Sequence, residues 1–267
     1  MIGKANQPAA ANRPPAVLVF GGHDPTGGAG IVADSEAVAA IGAHAATVIT
    51  CLTVQDTKDV QQMIPLAPEL VVRAARTVLA DLPVQAVKIG LLGEAGLAKA
   101  IAALLAEYPK LPVVFDPVLA AGGGHDMADG ALLDAIGEHL LPRVTLITPN
   151  GPEARRLTGL KRMEEAAAML QRLGCKSVLV TGGHDGGGEV INRLYLEGGE
   201  MLASRWPRIE GEFHGTGCTL ASGIAAGLAL GLLPAAAVTR AEEMTWKAVG
   251  RARRIGRGQR VPLRGLG

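Results

Sequence analysis

The chain has 267 residues, of which 48% are hydrophobic and 19% charged, enough apolar material for one large domain or two small ones. Its net charge of +1 and aromatic content of 3% argue against the basic surface and stacking platforms that nucleic acids and membrane surfaces require. We therefore expect neither a nucleic-acid nor a membrane partner. Cys51, Cys175 and Cys218 lack metal-ligand spacing and indicate free thiols in a reducing, cytoplasmic compartment.

The predicted elements alternate between strands and helices. Residues 1–15 are rich in Ala, Pro and Asn and are interpreted as a flexible leader. Strands are predicted at 16–20, 45–54, 86–90, 112–115, 144–148 and 177–181. Helices are predicted at 31–41, 68–79, 94–108, 131–141 and 164–173, and another opens at 149–153. This alternation predicts a single α/β domain at 16–250, with helices on both faces of a mostly parallel, doubly wound sheet.

The last third of the chain adds three features. Residues 191–196 and 201–206 predict an antiparallel hairpin. Residues 215–238 are uncharged and contain Gly223, Gly227 and Gly231 at the spacing found in packed membrane-spanning helices. Because Pro234 interrupts this run, we predict instead a buried helix that lies close to the sheet. Residues 251–267 carry six arginines and no acid, and we interpret them as a frayed or surface-packed basic tail.

The stretch His214-Gly-Thr-Gly-Cys-Thr219 predicts an anion site. Its glycines precede a helix whose first N–H groups lack intrahelical acceptors, so a phosphate would find donors and partial positive charge there. The same helix terminus is expected to lower the pKa of Cys218 and favour its thiolate. Donors for a phosphoryl group beside a proton acceptor suggest a kinase. The alternative is a glycine turn that only starts a buried helix, with Cys218 as a small core residue.

A second glycine loop permits another interpretation. Gly28-x-Gly30-x-x-Ala33 fits a dinucleotide fingerprint, with Asp56 near the position of a ribose-binding acid. The fit is weak, because six residues separate Gly22 from Gly28 where a tight turn is required. The corresponding function, a nucleotide-dependent oxidoreductase, also leaves the second anion site without a role.

Polar residues cluster where the predicted strands end. Ligands of doubly wound sheets bind at the carboxyl ends of the strands. The residues expected there, beside the Cys218 loop, are Gln55, Asp116, Asn150, Glu153 and Thr181.

Six motifs occur in register between residues 17 and 249: Gly22-His-Asp-Pro-Thr-Gly-Gly-Ala-Gly-Ile31 continuing to Asp34, Leu52-Thr-Val-Gln-Asp-Thr57, Lys88-Ile-Gly90, Asp116-Pro-Val118, Ile147-Thr-Pro-Asn-Gly-Pro-Glu-Ala154 and His214-Gly-Thr-Gly-Cys-Thr219. Together they resemble the hydroxymethylpyrimidine/phosphomethylpyrimidine kinases of thiamine biosynthesis, which have the ribokinase-like fold, a three-layer αβα sandwich. Several motifs in order are more specific than one glycine loop.

The resemblance implies ATP-dependent phosphorylation of 4-amino-5-hydroxymethyl-2-methylpyrimidine, then of its monophosphate, by a homodimer. It implies that the predicted anion site at residues 215–218, called the anion cradle below, is catalytic and that Cys218 is the proton acceptor. It also implies that further residues bind the substrate, the nucleotide and the metal. The catalytic residues are Gly215, Thr216, Gly217 and Cys218; the substrate ligands are Gly22, Ala29, Asp34 and Gln55; the ATP ligands are Asp116, Asn150, Glu153 and Thr181, with Glu153 and Asp116 also holding Mg²⁺.

Purely structural roles remain open for several of these residues. Gln55 can be a solvated strand-end amide, Asp34 can solvate or cap its helix, Glu153 can be a first-turn acid favoured by the helix dipole, and Asp116 can be part of a turn. The sequence also departs from the family at Thr181, where a lysine for the ATP phosphates is common, and at Leu91, where methionine is common.

Two rival functions stay open beside the oxidoreductase. Pyridoxal kinase has the same fold and chemistry, and its substrate also carries a hydroxymethyl group on a six-membered nitrogen ring. A non-catalytic pyrimidine-binding module is conceivable because of Thr181.

Overall fold

The structure is a computed structural model that describes residues 13–120, 124 and 126–265. Residues 1–12 of the expected leader lie outside the described residues. The strands of the described chain are β1 (Ala16–His23), β2 (His44–Gln55), β3 (Val60–Pro65), β4 (Val84–Ile89), β5 (Val113–Phe115), β6 (Leu146–Ile147), β7 (Ser177–Val180), β8 (Glu189–Tyr195) and β9 (Met201–Pro207). They form one sheet in the order β3-β2-β1-β4-β5-β6-β7-β8-β9.

The six central strands are parallel to one another: β2, β1, β4, β5, β6 and β7. At the two edges, β3 pairs antiparallel with β2, β8 pairs antiparallel with β7, and β9 pairs antiparallel with β8. The prediction of a mostly parallel sheet and of the 191–206 hairpin is confirmed. Strand β3 was missed: its sequence Val-Gln-Gln-Met-Ile-Pro is largely exposed, so it carries no hydrophobic run that marks a buried strand.

Helices cover both faces of the sheet. They are α1 (Gly30–Ile41), α2 (Pro68–Asp81), α3 (Ala95–Ala106), α4 (Gly130–Ala135), α5 (Gly151–Thr158), α6 (Met163–Arg172), α7 (Thr216–Ala229) and α8 (Pro234–Gly250). Alternate residues of β1 supply the two cores: Leu18 and Phe20 pack with α2, α3, α4 and α6, whereas Val17 and Val19 pack with α1, α7 and α8. Because β1 is buried on both faces, its sequence is a continuous apolar run and does not alternate between apolar and polar residues. The three-layer αβα sandwich is confirmed.

Helix α7 is buried over most of its length, as predicted, but its glycines have a different neighbour. A Cβ at Gly223 would stand 3.0 Å from Ala241 Cβ, and one at Gly227 would stand 2.9 Å from Ala237 Cβ. Gly223 and Gly227 therefore face α8, not the sheet, although α7 does lie against β1, β4 and β5 as predicted. Within the described residues, the helices fall short of the length and hydropathy that crossing a bilayer takes.

We predict that Gly227→Val destabilises the fold. The new side chain meets the Ala237 Cβ and Cα, the latter 3.1 Å from the modified position, so α7 and α8 must separate. Overpacking of this kind costs about 1–3 kcal/mol of unfolding free energy, measurable by urea denaturation. The matched control is Gly130→Val, whose Cβ meets no atom within 4 Å and which should change stability by no more than about 0.5 kcal/mol. Equal midpoints for the two variants would contradict the packing account.

Candidate active site

A cavity of about 680 Å³ opens at the carboxyl ends of the parallel strands. Its wall contains eleven of the twelve residues expected at the site: Gly22, Ala29, Gln55, Asp116, Asn150, Glu153, Thr181, Gly215, Thr216, Gly217 and Cys218. Strand β2 ends at Gln55, and Asp116 directly follows β5. Parallel strands thus deliver polar residues that are far apart in sequence to one edge of the sheet.

The helix predicted after the glycines begins at Thr216, so the predicted anion cradle lies at the start of α7. Gly215 is the N-cap with a φ of +81°, and the first intrahelical bond runs from the Thr219 N–H to the Gly215 carbonyl oxygen, at 3.0 Å. The N–H groups of Thr216, Gly217 and Cys218 precede that bond and have no acceptor inside the helix. A Cβ at Gly215 would stand 2.0 Å from the Gly28 carbonyl oxygen. Only glycine therefore permits this loop to approach the first glycine loop.

Arg264 ties the two glycine loops together from the C-terminal segment. Its guanidinium donates to the Gly28 carbonyl oxygen at 2.6 Å, to Thr219 Oγ1 at 2.6 Å and to Glu36 at 3.1 Å, and it is 2% exposed. The interpretation of residues 251–267 as a frayed or surface-packed tail is therefore wrong for Arg264. Burial of this cation is possible because each of its three nitrogens donates to an oxygen.

A buried ion pair lies beneath the cavity. Lys88 of β4 and Asp34 of α1 are both 0% exposed, with Nζ and Oδ1 2.8 Å apart, and Ser222 of α7 donates to the same carboxylate oxygen at 2.7 Å. A Cβ at Gly90 would stand 2.6 Å from Lys88 Nζ, which explains the glycine in Lys88-Ile-Gly90. Burial opposes the charge of Lys88, but Asp34, Cys218 and Asp116 raise its pKa above the usual value.

The expected direct contact between Asp34 and the substrate is corrected by this placement. Asp34 does not line the cavity, and its Oδ1 accepts hydrogen bonds from Lys88 and Ser222. Its Oδ2 has no hydrogen-bond partner among the described residues. Its structural role is to hold Lys88 under Asp116 and Cys218.

Cys218 does not have the lowered pKa that its helix position predicts. Burial raises the pKa of its thiol to about 12; Lys88 and the Gly30 N–H lower it, and the charges of Asp34 and Asp116 raise it. The partial charge of a helix terminus is small beside desolvation and two nearby carboxylates. Cys218 is therefore a thiol at neutral pH, and it lies close enough to Asp116 to lower the pKa of that carboxyl.

Asp116 and Glu153 form the acidic part of the wall. Burial raises the pKa of Asp116 to about 6 despite Lys88, and burial with the charge of Asp116 raises the pKa of Glu153 to about 8. Asp116 Oδ2 is buried without a partner within the described part of the chain, and a Cβ at Gly217 would stand 3.4 Å from it. An unpartnered carboxylate oxygen next to a second carboxylate fits a hard divalent cation.

A pair of carboxylates is compatible with Mg²⁺. Among the described residues no group of three or more His, Cys, Asp or Glu side chains is arranged to hold a metal. Mg²⁺ commonly retains several waters and needs only one or two protein carboxylates together with substrate phosphates. Asp116 and Glu153 suffice for that mode of binding.

Asn150 and Glu153 also have a structural role. They form a capping box at the start of α5: Asn150 Oδ1 accepts from the Glu153 N–H, and Glu153 Oε2 accepts from the Asn150 N–H, both at 2.9 Å. Asn150 forms an isolated parallel bridge with Thr181, whose N–H donates to the Pro149 carbonyl oxygen at 3.0 Å. The capping box fixes the direction in which Glu153 enters the cavity.

Gln55 also lies in the cavity wall, in contact with His214, which begins the predicted anion motif but was not predicted as a site residue. Its amide is 3.2 Å from His214 Nε2, and His214 is 2.8 Å from Asp24 Oδ2. Asp24 is 3% exposed and holds the first glycine loop through the Thr26 and Ala29 N–H groups, both at 2.8 Å. Gly28 packs against His214, so the dinucleotide interpretation of this loop finds no support in its surroundings.

A family model described as phosphomethylpyrimidine kinase matches residues 24–263. The chain belongs to this family. Relatives include the thiamine biosynthesis bifunctional protein ThiED of Geobacter sulfurreducens, which is 41% identical over 91% of the chain and 50% of the relative. The hydroxymethylpyrimidine/phosphomethylpyrimidine kinase of Streptomyces coelicolor is 39% identical over 88% of the chain and 89% of the relative. The chain thus spans half of one relative and most of the other.

Solved structures place this family member in the same fold as two kinases. A Bacillus subtilis pyridoxal kinase in an ADP complex has a TM-score of 0.86 at 26% identity, covering 93% of this chain and 97% of that one. The phosphomethylpyrimidine kinase of Clostridium difficile has a TM-score of 0.76 at 31% identity, covering 88% and 99%. The resemblance inferred from the motifs and the ribokinase-like fold are confirmed.

Lys88, Asp24, His214 and Arg264 belong to the site of this family member but were not predicted as site residues. Lys88 had a signal, since a lysine inside the apolar strand 84–89 needs a buried partner. For Arg264 the only signal was a basic segment, and its partners come from loops about 50 and 230 residues away. Such pairings depend on the tertiary fold.

We predict that Lys88→Met lowers the free energy of unfolding by about 3–5 kcal/mol, because Asp34 is left buried without its counter-ion. The double variant Lys88→Met/Asp34→Asn should recover at least half of the loss, since the uncompensated charge is removed. Urea denaturation measures both. A double variant no more stable than Lys88→Met would contradict the ion-pair account. Arg76→Met, which breaks the exposed pair with Glu107, is the control and should change stability little.

We also predict that Cys218 reacts slowly with iodoacetamide at pH 8. The thiolate is the reactive form, so a pKa of about 12 should make the rate rise about tenfold per pH unit between pH 7.5 and 9.5. Peptide mass spectrometry follows the alkylation of Cys218 separately from Cys51 and Cys175. In the urea-unfolded chain the rate should level off above a pKa of about 8.5. A plateau below pH 8 in the folded protein would restore the helix-terminus expectation.

Proposed function

We propose that this chain phosphorylates 4-amino-5-hydroxymethyl-2-methylpyrimidine, and then its monophosphate, with ATP in thiamine biosynthesis. Membership of the phosphomethylpyrimidine kinase family supports the proposal. The observation that carries it is the cavity itself, in which the N–H groups at the start of α7 face the same space as Asp116, Glu153 and Gln55. Donors for a phosphate, carboxylates for a cation and an amide for a heterocycle are the parts that such a kinase needs.

In the proposed reaction the γ-phosphoryl group lies at the N–H groups of Thr216, Gly217 and Cys218. These donors oppose the negative charge on its oxygens while the hydroxymethyl oxygen attacks phosphorus in line and the bond to the ADP oxygen breaks. Asn150 and Thr181 contact the nucleotide from the far wall. Gly22 and Ala29 allow the pyrimidine to approach the first glycine loop, and Gln55 pairs with its amino-substituted edge.

The hydroxyl proton passes to Cys218. Because burial keeps Cys218 protonated, it accepts this proton only as its own proton moves to the neighbouring carboxylate of Asp116. A thiol in this role contributes a factor of about 10²–10⁴, and positioning and charge stabilisation supply the rest of the rate. Asp116 and Glu153 would hold Mg²⁺, which when bound neutralises charge on the nucleotide phosphates.

Pyridoxal kinase activity is the second candidate, favoured by the close structural likeness to a pyridoxal kinase. The two activities share the cradle and differ in the heterocycle that Gln55 meets. Thr181, in place of a family lysine, leaves the phosphates with one cation fewer and makes the cradle N–H groups more important.

Assembly and location are further parts of the proposal. A homodimer is supported by exposed apolar residues that share one face of the β2–β3 pair: Leu52, Val54 and Ile64. A reducing, cytoplasmic location is supported by three free thiols, two of them buried. We treat residues 16–250 as the kinase domain, with the segment from 251 onward contributing Arg264 to it.

The deciding experiment measures ATP consumption with each acceptor. We expect turnover with the hydroxymethylpyrimidine and with its monophosphate, and slower turnover with pyridoxal. Cys218→Ala should lower kcat by about 10²–10⁴ and leave the KM for ATP within about twofold, because the cradle N–H groups belong to the backbone.

Two outcomes would change the substrate assignment, and a third would change the mechanism. Turnover with pyridoxal alone would select the second candidate, and turnover with neither acceptor would indicate a binding module. Full activity of Cys218→Ala would remove the sulfur from the mechanism while leaving the substrate assignment intact. Glu69→Gln, on the exposed side of α2, is the control and should match the parent chain.

A further inference from the structure

The cavity wall beside Gln55 contains a hydrogen-bond chain whose direction is fixed by proton count. It begins at Asp24, which is 3% exposed. Asp24 Oδ2 accepts from the Ala29 N–H at 2.8 Å and from Thr26 Oγ1 at 3.0 Å, and it lies 2.8 Å from His214 Nε2. Burial opposes ionisation, but hydrogen bonds from His214, Thr26 and Ala29 hold the pKa of Asp24 below its usual value.

An ionised carboxylate only accepts hydrogen bonds, so His214 Nε2 carries a proton and donates it to Asp24. A protonated ring nitrogen has no free lone pair. The group of Gln55 that lies 3.2 Å from the same nitrogen must therefore be an acceptor. With the amide nitrogen at that end, two donors would face each other.

Thr53 leads to the same orientation independently. Its hydroxyl has one proton, and the oxygen lies 2.9 Å from the His23 carbonyl oxygen, which can only accept. Thr53 Oγ1 is also 2.8 Å from the other end of the Gln55 amide, where it must then act as acceptor. The oxygen and nitrogen of a carboxamide are assigned from their partners, and here both partners require the NH₂ group beside Thr53.

We infer that His214, held by Asp24, fixes the Gln55 carboxamide with its oxygen toward His214 and its NH₂ toward Thr53, and that His214 is a positioning residue for acceptor selection. One lone pair and one N–H of Gln55 then remain for a ligand. This inference rests on the proposed role of Gln55 as a substrate ligand.

The free oxygen lone pair and the free N–H of Gln55 determine which hydrogen-bonding groups a ligand must present. The ligand must bring a donor to the His214 end and an acceptor to the Thr53 end. A 4-aminopyrimidine does so with its exocyclic amino group and the adjacent ring nitrogen. Pyridoxal has no amino group next to its ring nitrogen and leaves the Gln55 oxygen unpaired, which is where discrimination by a buried polar group arises.

The first test is the tautomer of His214, read by ¹⁵N–¹H correlation NMR of the histidine-labelled full chain at pH 8.5. We expect the proton on Nε2, with the signals assigned by their loss in His214→Gln. A bare Nε2 with the proton on Nδ1 would overturn the inference, because that nitrogen would accept from the Gln55 NH₂ group. The measurement needs no substrate, so it decides the orientation even if the pyrimidine proves not to be the acceptor.

The second test compares two substitutions of similar length. His214→Met removes the donor, so the Gln55 amide is free to turn, and kcat/KM for the aminopyrimidine should fall about tenfold while that for pyridoxal changes less than about threefold. His214→Gln supplies an amide donor at the position of Nε2 and should recover most of the lost selectivity. An equal fall for both acceptors in His214→Met, or no recovery in His214→Gln, would overturn the positioning role.

Absence of pyrimidine turnover in the parent chain would instead contradict the proposed function alone. Thermal unfolding of each variant separates loss of the hydrogen bond from loss of the fold, since His214 also packs against Gly28.

Discussion

The ion pair between Lys88 and Asp34 is the constraint on which the rest of the site depends. Two fully buried charges are tolerated only where each has its partner within hydrogen-bond distance, and this pair connects β4, α1 and, through Ser222, α7. Gly90 is glycine because Lys88 Nζ occupies the space of a Cβ. The start of α7, and with it the anion cradle, is thus held over a fixed positive charge beneath the cavity.

The cradle itself depends on a second constraint, the close approach of two loops separated by about 190 residues. Gly215 meets Gly28 where any side chain would collide with the backbone, and Arg264 satisfies the carbonyl oxygen at the contact. The same approach brings His214 against Asp24, so the start of α7 and the cavity wall beside Gln55 belong to one packed unit. A segment close to the end of the described chain therefore contributes to the geometry of the site.

Most of the sheet and most of the cavity wall could be predicted from the sequence. Apolar runs mark the strands, and the polar residues that follow them lie at the carboxyl ends of the strands, where ligands of such sheets bind. β3 was missed because it is exposed, and Asp34 was misplaced because its partner Lys88 lies on another element. The pKa of Cys218 was predicted in the wrong direction for a related reason. A helix terminus is visible in the sequence, whereas the carboxylates of Asp34 and Asp116 reach the thiol only in the folded chain.

The charges around Cys218 explain why a raised pKa is compatible with phosphoryl transfer. Lys88 is surrounded by Asp34 and Asp116, and Glu153 adds a further carboxylate beside Asp116, so acids outnumber the lysine. Burial is the main cause of the raised pKa of each carboxyl group, and the neighbouring carboxylate charge adds to it. A divalent cation held by Asp116 and Glu153 would offset this excess and lower the pKa of both carboxyl groups. The thiol of Cys218 carries no charge at neutral pH, so it does not add to the negative charge that such a cation would offset.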